Sequence, residues 1–138
     1  RMKIGELALM AGCSIPTIRF YEAEGLLQAP SRTANNYRDY GDQHADRLAF
    51  IMRCRSLDMS HQEIRVLLHL QDDPQRSCDD VNVLLDTHLQ LVEQRMVELT
   101  ALRKQLQAIR GTCAGGLCIG DCGALESLRS TTGANTPK

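Results

Sequence analysis

An apolar stripe in the C-terminal half of the chain constrains the fold more than any other feature. Its members stand seven residues apart, at Leu85, Val92, Leu99 and Leu106. This repeat predicts one long helix over roughly residues 79–110, about 48 Å long at ~1.5 Å per residue. Because a helix with such a stripe needs a second element to cover it, we expect a coiled-coil dimer. Packing of the helix on its own N-terminal region is the alternative.

Composition narrows the class of protein. The chain has 138 residues, of which 43% are hydrophobic and 24% charged, as in one or two small globular domains. It has neither an apolar run of about 18 residues nor an apolar signal-peptide core, so we expect a cytoplasmic protein with no membrane partner. A net charge of −1 excludes a uniformly basic surface, so any contact with nucleic acid must come from a local patch.

The N-terminal region has the pattern of a helix-turn-helix. Residues 4–11 place apolar side chains on one helical face. Ser14 is a candidate N-cap for a second helix, with Pro16 in its first turn and Gly25 just beyond its end. Two short helices joined by a tight turn that contains glycine predict this motif.

The segments that follow predict a small β-wing and two more helices. Residues 30–36 are polar, and residues 37–40 alternate as a short strand does. Residues 44–57 form an amphipathic pattern, and Ser60 with Glu63 forms a capping box for a helix that continues to residue 70. The predicted fold class is therefore mainly α, with an N-terminal winged helix-turn-helix domain followed by a long C-terminal helix.

Six cysteines are many for a chain expected in a reducing compartment, where clustered thiols indicate metal binding or redox chemistry. They are Cys13, Cys54, Cys78, Cys113, Cys118 and Cys122. Cys13 and Cys54 fall within apolar helical patterns, which favours a place in the core. The last three lie in the glycine-rich stretch GTCAGGLCIGDCG, where a loop can wrap one ion.

The remaining cysteine, Cys78, extends the apolar stripe at the N-terminal end of the long helix. Cys113 lies just beyond the other end, about 52 Å away by helical rise, so the two cannot share a metal within one chain. If two copies pair antiparallel, Cys78 of one meets the 113–122 loop of the other, giving two symmetric sites. Three thiolates suit Hg(II), Pb(II) or Cd(II), whereas Zn(II) favours a fourth ligand such as Cys118 or water. The alternative is that these cysteines are inert.

A group of basic and aromatic side chains is a candidate nucleic-acid surface. Arg19 and Tyr21 lie on the second helix, and Arg32, Tyr37 and Arg38 lie on the wing. Guanidinium groups can bind phosphate or guanine, and tyrosine hydroxyls can donate to phosphate. Residues 1–57 carry eight Lys and Arg against six Asp and Glu, only a small positive excess. The alternative is a solvated surface with the tyrosines stacked on the core.

These motifs resemble a known family. The stretch IGELALMAGCSIPTIRFYEAEGLL, followed by NNYRDY, is similar to the DNA-binding domain of the MerR family of transcription regulators. The resemblance covers about residues 3–128. The stretches CRSLDMSHQEIRVLL (54–68), CDDVNVLLDTHL (78–89) and CGALESL (122–128) resemble the cadmium- and lead-responsive branch.

The resemblance implies a mainly α homodimer with a winged helix-turn-helix, an antiparallel coiled coil and a C-terminal metal-binding loop. It also implies binding to double-stranded promoter DNA in which the spacer between the two promoter elements is too long for RNA polymerase to engage both. Metal binding would shift the DNA-binding domains and distort that spacer. The metal ligands implied are Cys78 from the partner subunit, Cys113 and Cys122, with Cys118 as an additional candidate. The DNA-binding residues predicted are Thr17, Arg19, Tyr21, Arg32, Asn36, Tyr37 and Arg38. Pb(II) or Cd(II) is the expected ion, with Hg(II) or Zn(II) as alternatives, and Cys78 argues against monovalent copper.

The predicted domain organisation follows from these elements. Residues 2–75 form the winged helix-turn-helix domain, 76–110 the dimerisation helix, 111–128 the metal-binding loop with a short helix, and 129–138 a disordered tail. Two other functions stay open: a thiol-based redox regulator on the same fold, and a metal-buffering or structural zinc protein. An enzyme is not expected, since no phosphate-binding loop or nucleophile–histidine spacing is present.

Overall fold

The computed structural model describes residues 2–32 and 38–130 and is mainly helical. Its helices are α1 (Ile4–Ala11), α2 (Ile15–Ala23), α3 (Asp42–Ser56), α4 (His61–Gln71), α5 (Asp79–Arg110) and α6 (Gly123–Arg129). Two short antiparallel strands, β1 (Ser31–Arg32) and β2 (Arg38–Asp39), pair Ser31 with Asp39 and Arg32 with Arg38. The predicted class, a helix-turn-helix with a wing and a long C-terminal helix, is confirmed.

Local signals in the sequence account for where these helices begin. The Ser14 hydroxyl accepts a hydrogen bond from the Thr17 amide at 3.2 Å and caps α2. At α4, the Glu63 amide donates to the Ser60 hydroxyl at 3.1 Å, and the Ser60 amide donates to Glu63 Oε1 at 2.9 Å. The predicted capping box is therefore present.

The chain divides into two compact units, residues 1–85 and 86–138. In the first unit, α1 packs against α2 and α3. Its apolar core consists of Leu7, Ala8, Ile18, Tyr21, Leu26, Leu27, Tyr40, Leu48, Ile51, Cys54, Met59, Ile64, Leu67 and Leu68. Cys54 is buried and Cys13 packs on the cluster's edge, as predicted, and burial raises the pKa of both thiols.

The long helix α5 has 32 residues and the predicted bounds. In the single chain its seven-residue stripe is open to solvent, with Leu99 61% and Leu106 56% exposed. Within the described residues, no helix is both long and apolar enough to cross a membrane.

The C-terminal end departs from the prediction at two residues that the sequence assigned to a disordered tail. Arg129 is the last residue of α6 and pairs with Glu126 at 2.8 Å, and Ser130 is its C-cap, whose amide donates to the Glu126 carbonyl oxygen at 3.1 Å. The i,i+3 pair of Arg129 with Glu126 lies along one face of the helix and favours its last turn. Residues 131–138 of the predicted tail lie outside the described residues.

The core predicts that replacing two aliphatic side chains of the same domain has very different effects on the free energy of unfolding. Ile51 is fully buried whereas Leu9 is 85% exposed. We expect Ile51→Ala to lower the free energy of unfolding by about 2–5 kcal/mol, because it leaves a cavity, and Leu9→Ala to change it by less than ~1 kcal/mol. Urea unfolding at one fixed protein concentration measures both, and equal effects would contradict the assigned core.

Candidate nucleic-acid interface and metal centre

Two of the predicted DNA-binding arginines line one groove. Arg19 is exposed on α2, and Arg32 is exposed on β1. Together they border a shallow groove of about 350 Å³, whose other lining residues are Glu22, Ala23, Ala29 and Pro30. The fold therefore places two guanidinium groups on one surface between the second helix of the motif and the wing, where they can bind a polyanion.

A hydrogen bond links that helix to the base of the wing. The hydroxyl of Tyr40, whose side chain is fully buried, donates to Glu22 Oε2 at 2.7 Å. The backbone of Tyr40 also forms a two-way bridge with Met2, at 2.7 and 2.8 Å. No sequence motif marks Glu22 and Tyr40 as partners, because nothing in the local pattern shows that residues 18 positions apart are in contact.

Tyr21 is placed differently from the arginines. Its side chain is only 4% exposed and forms edge-on ring contacts with Phe20 and His61, with centroids 5.7 and 5.8 Å apart. Burial raises the pKa of its hydroxyl. Tyr21 is thus a core residue. Its contact with DNA stays a prediction, and only the small exposed part of its side chain is available for that contact.

The other predicted DNA-binding positions are less defined. The Thr17 hydroxyl is hydrogen-bonded to that of Ser14 at 2.8 Å, at the start of α2. Arg38 lies opposite Arg32 in the backbone pairing of β1 and β2. Asn36 and Tyr37 lie outside the described residues. The contacts predicted for these four positions stay predictions.

The C-terminal loop returns to the end of α5, and a glycine allows this closure. A Cβ atom at Gly123 would collide with the backbone carbonyl oxygen of Thr112, so only glycine fits there without displacement. The loop also turns through Gly115 and Gly116, both with positive φ, at 91° and 79°. The Arg110 guanidinium donates to the carbonyl oxygen of Cys113 at 2.8 Å. No sequence motif marks Gly123 for this role, because its partner Thr112 is eleven positions away in the chain.

This closure brings together Cys113 and Cys122. Hydrogen bonds from the Gly115 backbone and from the Cys122 side chain lower the pKa of Cys113, and the backbones of Gly123 and Ala124 act in the same direction. The hydrogen bonds stabilise the thiolate relative to the neutral thiol. Since the thiolate is the form that binds a metal, the loop favours the ligating form of Cys113.

The remaining two predicted ligands are both exposed. Cys118 is exposed in the loop, just before a 3-10 turn at Ile119–Asp121. Cys78 is exposed just before α5 and belongs to the other compact unit. Among residues 2–32 and 38–130 of a single chain, no three Cys, His, Asp or Glu side chains cluster as metal ligands do.

Two family models match the chain. One, described as the MerR HTH family regulatory protein, matches residues 2–71, and the other, described as MerR, DNA binding, matches residues 45–109. The chain therefore belongs to the MerR family of helix-turn-helix regulators. It is a transcription regulator that binds promoter DNA as a homodimer, and it is not an enzyme.

Individual relatives agree with this assignment. The structure of the transcription regulator PbrR691 from Ralstonia metallidurans, in complex with lead(II), is 46% identical with a TM-score of 0.80, and the match covers 93% of this chain and 99% of that one. The ZntR homolog of Haemophilus influenzae is 44% identical, over 79% of this chain and 81% of its own length. The mercury(II) complex of MerR from Bacillus megaterium is 29% identical with a TM-score of 0.71, over 94% and 100%.

The position of Arg19 in the groove predicts a salt-dependent contribution of its guanidinium to promoter affinity. We expect Arg19→Ala to weaken promoter binding and to reduce the slope of log affinity against log salt by about 1, if the guanidinium neutralises one phosphate. Fluorescence anisotropy over a salt series measures the slope. Arg129→Ala, a change on α6, is the matched control, and identical slopes for the two variants would contradict the assigned groove.

The hydrogen bonds to Cys113 predict that folding makes its thiol more reactive. In the reduced, metal-free protein we expect Cys113 to alkylate with a midpoint at lower pH in the native state than in the urea-unfolded state, because its thiolate is stabilised by the folded loop. Replacing the neighbouring thiol, in Cys122→Ala, should move the Cys113 midpoint upward. Iodoacetamide pulses across a pH series, read by peptide mass spectrometry, give each midpoint. A Cys113 midpoint that is the same in the native and the unfolded protein would contradict the described loop.

Proposed function

We propose that this chain is a metal-responsive activator that senses a soft divalent ion, Pb(II) or Cd(II), at a thiolate site shared between the subunits of its homodimer. The observation that carries the proposal is the Cys113–Cys122 pair, whose surroundings favour the thiolate. In the proposed site, Cys113 and Cys122 come from one subunit and Cys78 from its partner, while the exposed Cys118 is an additional candidate ligand.

The length of α5 supports a shared site. Cys78 immediately precedes this 32-residue helix, and Cys113 follows shortly after its end. A straight helix of this length spans about 48 Å at ~1.5 Å per residue, far more than two metal–sulfur bonds. Antiparallel pairing through the exposed stripe at Leu99 and Leu106 would bring each Cys78 to the loop of the other subunit.

The choice of ion follows from the donor set. Three thiolates are soft ligands and suit large soft cations, whereas Zn(II) usually takes four ligands. The lead(II) complex of a regulator 46% identical over 93% of this chain supports Pb(II). The mercury(II) complex of a more distant regulator keeps Hg(II) as an alternative, and Zn(II) would need Cys118 or water as its fourth ligand.

The response would act through the shape of the promoter. In the proposed mechanism, Arg19 and Arg32, with Thr17, Tyr21, Asn36, Tyr37 and Arg38, hold a promoter whose spacer is too long for RNA polymerase. Metal binding then favours the dimer conformation that bends and untwists the spacer. We place this response in the cytoplasm, where the promoter DNA lies. Such deformation costs on the order of a few kcal/mol, and the ion can supply it only by binding the activating conformation more tightly.

The contact between Cys113 and Cys122 also supports a second candidate function, a redox regulator on the same fold. The Cys122 side chain hydrogen-bonds the Cys113 thiol, so in this candidate function a two-electron oxidant such as diamide would join the two neighbouring sulfurs in a disulfide. In that case diamide would induce the promoter and a metal chelator would have no effect. A metal-buffering protein is disfavoured because the chain belongs to a DNA-binding family.

The shared site predicts that Cys78→Ser abolishes induction by Pb(II) or Cd(II) and leaves promoter binding within about twofold of wild type, because Cys78 lies outside the DNA-binding groove. In vitro transcription and anisotropy measure the two properties. Loss of promoter binding in Cys78→Ser would contradict the assignment.

Mixed dimers separate a shared site from a site within one chain. One subunit carries Cys78→Ser and the other carries Cys113→Ser with Cys122→Ser. If ligands come from both subunits, this dimer keeps one intact site and binds one Pb(II), whereas each parent homodimer binds none. A mixed dimer without Pb(II) would contradict sharing.

A further inference from the structure

Two arginines hold the turn that follows the second helix of the DNA-binding motif. The Arg65 side chain on α4 donates to the carbonyl oxygen of Glu24 at 2.7 Å and pairs with the Glu24 carboxylate at 3.4 Å. The Arg47 Nε on α3 donates to the carbonyl oxygen of Leu26 at 3.2 Å. Both carbonyls belong to the turn through which α2 leads into the wing.

Arg47 is itself held by the end of α4. Its two terminal nitrogens donate to the two carboxylate oxygens of Asp72, the C-cap of α4, at 2.9 and 3.3 Å. A two-pronged pair of this kind fixes the orientation of the guanidinium as well as its position. The same hydrogen bonds lower the pKa of Asp72. The turn after α2 is thus attached to α4 directly by Arg65 and, through Arg47, at the C-cap of the helix.

These contacts cross an open space. Arg47 and Asp72 border a cleft of about 580 Å³ that also includes Gly25, Leu27, Gln28 and Gln71. Along this cleft, the Arg47 side chain joins the turn at Leu26 to the end of α4 at Asp72. Because charge-assisted hydrogen bonds are directional, a displacement of Asp72 moves Arg47 and, with it, the turn.

We propose that Arg47 and Arg65 are positioning residues that transmit metal binding at Cys78 to the DNA-binding helix α2. The proposal rests on the proposed metal-sensing function. Asp72 stands six positions before Cys78 in the chain. A shift of Cys78 toward a bound ion moves the end of α4, and the two arginines move the turn after α2 with it.

The test separates transmission from DNA binding and from folding. We replace the arginines singly and together, as Arg47→Gln, Arg65→Gln and the double variant, with Arg53→Gln as the control because Arg53 is an exposed arginine on the same helix as Arg47. Each full-length dimer is measured for promoter affinity, Pb(II) stoichiometry, thermal midpoint and the ratio of transcription with Pb(II) to transcription without it.

We expect the induction ratio to fall about fivefold or more in the double variant, as the loss of a coupling between two sites requires, while promoter affinity and Pb(II) stoichiometry stay within twofold of wild type. Arg53→Gln should keep the wild-type ratio. An unchanged ratio in the double variant overturns the proposal. A ratio that falls only in step with the thermal midpoint, across all variants, also overturns it, because it indicates a purely structural role.

An exchange of charges tests the role of the Leu26 carbonyl. The variant Arg47→Asp with Asp72→Arg keeps the ion pair and removes the donor to Leu26. We expect its induction ratio to stay low, and recovery to the wild-type ratio would overturn the assigned contact. Wild-type protein that binds the promoter but gives no response to Pb(II) or Cd(II) contradicts the proposed function itself, so the two failures are distinguishable.

Discussion

Burial of the stripe on α5 is the interaction on which the rest of the molecule depends. A 32-residue helix with exposed leucines along one line loses roughly 25 cal/mol of stabilisation for each Å² of apolar surface left in water. A second copy of the same helix covers the surface without any new sequence, and the homodimer of this family is that solution. Helix length, subunit pairing and the distance between the two ends of α5 are therefore set together.

Helices whose start and end depend on neighbouring residues could be predicted from the sequence. Hydrophobic period and cap chemistry are local, so the bounds of α1 and α5 and the caps at Ser14 and Ser60 followed from the sequence alone. The contacts that orient these elements could not be predicted. Arg65 and Glu24 are 41 positions apart, and no local pattern indicates that a guanidinium on one helix reaches a carbonyl at the end of another.

The candidate sites show the same division. Spacing and thiol chemistry indicated Cys113 and Cys122, and the structure brings these two together. Their electrostatic environment depends on backbone amides, which every residue has and no sequence motif marks. Tyr21 shows that residue type alone does not predict burial. Its type and position suggested a contact with DNA, whereas the packing of α2 places its ring in the core.

The close approach of Gly123 to Thr112 has a consequence for how such a loop can change. The backbone is held where the loop leaves α5 and where it enters α6, so the two ends of the loop stay together when the stretch between Gly116 and Cys122 changes in length. Doubling the length of a flexible loop costs only about 0.6 kcal/mol in closure entropy. The stretch around Cys118 is therefore free to gain, lose or exchange residues. In the proposed metal site, ion preference can diversify there while the contact between the ends of the loop persists.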